Sequence, residues 1–172
     1  YKRQLWDSVD LGFKPTKRTW GAEVFPGSSL PNAMVQVSPV TKFHSGAGYQ
    51  YEDSVIYGFT HTNKGHWNLC HIPLLPVTGT PTPGDYCSPF SHERESAAPG
   101  YYQVFLDRYG VDAQLSSTLR CAFHKYTYPA GAAASLLADL QRSNEHVRAW
   151  DIRKEGDNVF AGWQQTGEKM YF

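Results

Sequence analysis

Residues 58–76, GFTHTNKGHWNLCHIPLLP, decide how the rest of the chain reads. They crowd His61, His66 and His71, Asn63 and Asn68, Lys64, Cys70 and Trp67 between two apolar segments. Upstream, residues 54–59 (SVIYGF) read as one strand. Downstream, residues 72–77 (IPLLPV) are apolar but carry Pro73 and Pro76, which predicts a sheet edge or a strand end rather than a central strand. Polar residues mixed with an aromatic on a loop between structured flanks are how binding sites are commonly built.

Working outward, the chain keeps giving short extended runs separated by turn residues. Residues 34–37 predict a strand that stops before Pro39, after turn signals at Pro26-Gly27 and Pro31-Asn32. Residues 102–117 give two extended runs joined by Asp107-Arg108-Tyr109-Gly110, with Gly110 free to take positive φ in the turn. Leu119, Cys121 and Phe123 alternate, which predicts that their face is buried, while His124 and Tyr126 lie opposite Phe123 and Lys125. Residues 148–163 read as one or two strands around the turn Glu155-Gly156-Asp157-Asn158. Residues 78–89, rich in Pro, Gly and Thr, are loop. Ser91 is placed to cap a helical turn at His92-Glu93-Arg94, and the neighbouring Glu93 and Glu95 read as solvated rather than as an acid–base set. Residues 131–139 have the Ala and Leu content of a short helix. Few other helix signals occur, so the fold expected is all-β, an antiparallel β-sandwich.

Totals narrow the function. One core of moderate size suits 172 residues. Lys+Arg 16 against Asp+Glu 16 leaves no basic excess for a nucleic-acid partner, and no apolar run approaches the ~20 residues that span a bilayer. Aromatics make up 15 % of the chain, which suits strands and also suits sugar rings, whose apolar C–H faces stack on aromatic rings. Cys70, Cys87 and Cys121 allow at most one internal disulfide and form no C-x-x-C pair, so neither a structural zinc site nor a redox compartment follows. His61, His66, Cys70 and His71 match neither zinc-finger spacing nor His-x-x-x-His, and read as loop and core residues. No G-x-S-x-G elbow is present. Residues 1–24 mix Lys and Arg with Trp6, Phe13 and Trp20 without a clear period and are expected to be an irregular segment lying over the core. The chain starts without Met and ends on apolar GEKMYF, which suggests a piece cut from a longer protein, with a sandwich domain at 25–172 truncated at its C-terminal end.

Several stretches resemble family 92 glycoside hydrolases, the calcium-dependent exo-α-mannosidases. They are Phe25-Pro26-Gly27 with Met34-Val35-Gln36-Val37-Ser38-Pro39, GYQYEDSVIYGFTHTN at 48–63, SPFSHERESAAPGYY at 88–102 and LRCAFHKYTYP at 119–129. Asn32-Ala33 departs from the Phe-Gly usual there. The resemblance implies that this chain is the N-terminal β-sandwich that packs on a C-terminal catalytic (α/α)6 barrel absent from it. It implies strand rather than helix at 131–139, and a final strand starting at Met170. It implies an inverting mechanism whose two carboxylates, about 6.5–9.5 Å apart, lie in the barrel with most of the calcium ligands. No catalytic or metal-ligating residue is then expected here. Substrate binding falls to Trp67, His66, Asn68 and His61, with Gly65-His66-Trp67-Asn68 resembling the loop associated with α-1,2-linked mannosides. The implied partners are mannose-containing glycans and the barrel, with no nucleic acid or membrane, in the periplasm or outside the cell. A free-standing lectin-like module and a purely structural sandwich are the competing readings.

Overall fold

The computed structural model describes residues 25–64, 67–82, 84–167 and 169–171. The expected irregular segment at 1–24 lies outside them. The strands are β1 (Ser28–Ser29), β2 (Gln36–Val40), β3 (Val55–Ile56), β4 (Gly58–Thr60), β5 (Asn63–Lys64), β6 (Trp67–Asn68), β7 (Leu74–Thr78) and β8 (Ser88–Pro89). A 3-10 turn at His92–Arg94 precedes β9 (Glu95–Ala98), β10 (Tyr101–Leu106), β11 (Val111–Ser117) and β12 (Ala122–Thr127). The remainder are β13 (Ala134–Ala138), β14 (Ala149–Lys154), β15 (Phe160–Gln165) and β16 (Lys169–Tyr171).

Two antiparallel sheets make the sandwich. One has the order β1-β2-β4-β7-β13 and the other β12-β11-β10-β9. Their inner faces meet in a core of Val37, Phe59, Leu75 and Val77 against Tyr102, Val104, Leu106, Val111, Ala113 and Leu115. Alternation explains the second sheet: in β10 and β11 every other side chain is buried, in step with the two-residue period of a strand. Burying each aliphatic or aromatic side chain contributes roughly 1.5–3 kcal/mol, so this face dominates the stability. The hairpin turns at Gly110, whose φ of 65° is the left-handed conformation the sequence predicts. β14-β15-β16 form a separate antiparallel sheet, and β13 is strand rather than helix.

Four local expectations are corrected. Residues 54–59 are two strands: β3 pairs with β8, and β4 with β2 and β7. The chain changes partners at Tyr57-Gly58, where a side chain on Gly58 would press against Pro73 and the Leu74 carbonyl. β2 starts later than expected and continues through Pro39, opposite Phe59, where β1 no longer runs alongside. β7 is not an edge, since it lies between β4 and β13. Pro76 is tolerated because the β7–β13 bonds run through Pro73 and Gly79, placing Pro76 in a non-hydrogen-bonded pair with Leu136. Its nitrogen therefore points away from β13, and β4 pairs with β7 only at Leu74. Finally, Leu119 and Phe123 are exposed, and it is Ala122, His124 and Tyr126 that turn inward. The inward polar groups are tolerable because they bond to one another.

Candidate functional site

Trp67 sits on β6, half-buried, in a ribbon of two residue pairs, Asn63 with Asn68 and Lys64 with Trp67. His66 lies outside the described residues. Asn68 is fully buried, and its side chain is used inside the loop. Its Oδ1 accepts from the Cys70 N–H at 2.8 Å, and its Nδ2 donates to Thr60 Oγ1 at 3.1 Å. That bond holds Cys70 in a left-handed conformation, φ 52°, with burial pushing its thiol up to about 12. The ribbon is tied outward as well. The Asn68 N–H donates to the Gly46 carbonyl at 2.8 Å, while the Leu69 N–H extends the ribbon's own ladder to the Thr62 carbonyl at 3.1 Å. Gly48 belongs to the same contact: its φ is +73°, and a side chain there would meet Asn68 Nδ2 at 2.9 Å.

His61, just after β4, points toward the opposite sheet. Its Nε2 lies 2.7 Å from His124 Nε2, and His124 Nδ1 lies 2.6 Å from the Tyr126 hydroxyl. Burial pulls His61 down to about 4; burial, with the neighbouring His61 adding, pulls His124 down to about 3. Both rings are therefore neutral at neutral pH, and a single proton bridges the two Nε2 atoms. The pair links the start of the Trp67 loop to β12. His71 is buried too, with Nε2 3.3 Å from Glu145 Oε2, which also accepts from Thr166 Oγ1 at 2.5 Å. Beyond Asn144, a cavity of about 770 Å³ is lined by His44, Glu145, His146, Arg148 and Trp150.

A second polar cluster was not legible as such. Glu95 is buried rather than solvated, and its carboxylate accepts from Tyr49 OH at 3.0 Å and Tyr102 OH at 2.7 Å. His92 Nδ1 approaches it at 2.5 Å, while His92 Nε2 donates to the Tyr51 carbonyl at 2.6 Å. Burial foremost, and then the Glu95 charge, raises both phenols. Ser91 does cap the turn, accepting from the Glu93 N–H. Among the described residues no three His, Cys, Asp or Glu side chains converge as a metal would require, and Glu95 is already spent on hydrogen bonds.

Residues 14–172 match the sequence model of the glycosyl hydrolase family 92 N-terminal domain. The chain belongs to that family. Solved structures of family 92 proteins agree. The α-mannosidase BT3965 from Bacteroides thetaiotaomicron, in complex with mannoimidazole, superposes with TM-score 0.78 at 27 % identity, over 87 % of this chain and 22 % of that one. The family 92 glycosyl hydrolase ccman5 gives TM-score 0.68 at 30 % identity, over 83 % of this chain and 22 % of that one. For the inverting mannosidase BT2199 from Bacteroides thetaiotaomicron VPI-5482 the values are 0.70, 24 %, 84 % and 20 %, a likeness of fold. No curated protein matches the sequence. This family 92 domain thus spans about a fifth of the length of these solved relatives. Among its described residues no helix is long and apolar enough to cross a membrane.

For a family 92 domain, the informative residues missed from sequence are Glu95 and Asn144. Glu95 follows the turn closely enough to look like another surface charge. Asn144 is 76 residues from the Asn68 carbonyl that it bonds, and no local pattern signals that contact.

Proposed function

We propose that this domain is the non-catalytic N-terminal part of an inverting exo-α-mannosidase, shaping the mouth of the substrate pocket while a C-terminal (α/α)6 barrel performs hydrolysis. The observation that carries the proposal is the Trp67 ribbon. An indole stands half-exposed on a loop whose polar backbone is held by Gly46 and Asn144, within a fold shared with an α-mannosidase. An indole ring offers the apolar C–H face of a mannose a flat platform. The substrate preference proposed is α-1,2-linked mannosides of glycans such as N-glycans, with Trp67 and His66 touching the sugar on the leaving side. Asn68 and His61 serve differently from a direct contact. The Asn68 amide is consumed in holding the loop, and His61 anchors it through His124.

Calcium, if it acts as in the family, is held mainly by residues beyond this chain, as are the general acid and base. No step of hydrolysis is assigned to a residue described here. A periplasmic or secreted location accompanies the proposal.

In the full-length gene product, Trp67→Ala is expected to raise KM for an α-1,2-mannobiose about tenfold while leaving an aryl mannoside, which has no leaving-side sugar, within about twofold. Unchanged parameters for both substrates would remove Trp67 from the site. The intact mass of that product separates an enzyme from a free module: a mass near 19.4 kDa would leave only binding to be explained.

A further inference from the structure

We infer that Asn144, on the segment between β13 and β14, is a positioning residue that sets the orientation of Trp67; the inference rests on the proposed role of Trp67. A ribbon two residues long cannot hold its own direction, because an isolated pair of strands is marginal even at greater length. Its aim must come from ties outside its own ladder. Among the described residues three such backbone ties occur at Asn68 and Leu69. Gly46 supplies one, and Asn144 supplies the other two: its Nδ2 donates to the Asn68 carbonyl at 2.7 Å, and its own N–H donates to the Leu69 carbonyl at 2.9 Å.

The other end of the same amide is equally committed. Asn144 Oδ1 accepts from the His44 N–H at 2.7 Å. Because one partner can only donate and the other only accept, the orientation of the amide is fixed by chemistry. His44 itself is left-handed, φ 58°, as are Cys70 and Ile72. Residues in that conformation persist where surrounding bonds over-determine them, and such strain gathers at functional sites. Asn144 therefore joins three segments distant in sequence, the 41–48 loop, the Trp67 ribbon and its own turn, at one point. A planar group that carries an acceptor and a donor side by side meets this requirement. Asp keeps only the acceptor, and Ala keeps neither.

The test compares Asn144→Ala, Asn144→Asp, Trp67→Ala and the double variant Trp67→Ala/Asn144→Ala in the full-length gene product. Each is assayed on α-1,2-mannobiose and on an aryl α-mannoside, with circular dichroism to confirm folding. The expected result is a roughly tenfold loss of kcat/KM on the disaccharide for both Asn144 variants, carried by KM, with the aryl substrate changed less than about twofold. Adding Asn144→Ala to Trp67→Ala should change nothing further. If Trp67→Ala shows its effect and the folded Asn144→Asp does not, the inference falls and the role of Trp67 stands. Equal losses on both substrates, or losses that multiply in the double variant, also overturn it. No effect from Trp67→Ala removes both.

Discussion

The β10–β11 hairpin and the Trp67 ribbon are both antiparallel pairs, yet opposite means hold them. The hairpin runs through six residue pairs, and Tyr102, Val104, Leu106, Val111, Ala113 and Leu115 all turn into the core. The ribbon has two pairs and is steadied by the Asn144 side-chain amide, which bonds backbone groups far along the chain. The first is a matter of area removed from water, which tolerates no loss of volume. The second is a matter of direction, in which each bond contributes only about 0.5–1.5 kcal/mol of stability but fixes where a ring points. Damage should therefore appear as unfolding in one region and as altered recognition in the other.

The strongest way to break that contrast is in the hairpin. Leu115→Ala is expected to cost about 2–5 kcal/mol in urea denaturation, because the cavity left between the sheets cannot collapse. A cost below about 1 kcal/mol would mean that the core is not where the stability resides.

Next in size is the His61–His124 pair, which bridges the two regions. Unfolded, each imidazole would titrate near 6.5; folded, they stay neutral to about 4 and about 3. Below pH 6.5 the unfolded chain binds more protons than the native one. The stabilisation is fully present above that pH and is lost as pH falls through 4. His124→Gln should flatten the profile of melting temperature against pH between 7 and 4. A profile unchanged by that substitution would separate the pair from acid sensitivity.

The smallest effect is expected at Phe123, 60 % exposed on the outer face of β12. Phe123→Ser should shift stability by about 0.5 kcal/mol or less by thermal unfolding. A loss above about 1.5 kcal/mol would show that this face is covered in the native protein.

What the sequence disclosed follows the same division. Alternating burial in β10 and β11, the turn at Gly110 and the Ser91 cap are local, and each could be read from residues a few positions apart. The wrong readings were those in which a distant partner decides. Pro39 and Pro76 looked like strand stops, but a proline is excluded only where a neighbour demands its N–H, and neither the gap beside β1 nor the pairing of Leu136 is visible locally. Leu119 and Phe123 looked buried because alternation reveals two faces without saying which one meets the core. Trp67 is a candidate through its family-like surroundings, whereas the Asn144 contact, which no motif signals, is visible only in the structure.

The outermost strand of the larger sheet carries a consequence for preparing this protein. β13 pairs with β7 along one side and ends its sheet on the other. Its sequence, ASLLA, has no charge and no proline, and Leu136 projects from it 53 % exposed. Proteins usually blunt such a margin with lysine, proline or a bulge. Among the described residues no strand pairs with its outer side, so the segment handled by itself offers that edge to its own copies; self-association should rise with concentration, and Leu136→Lys is the substitution to make before raising it.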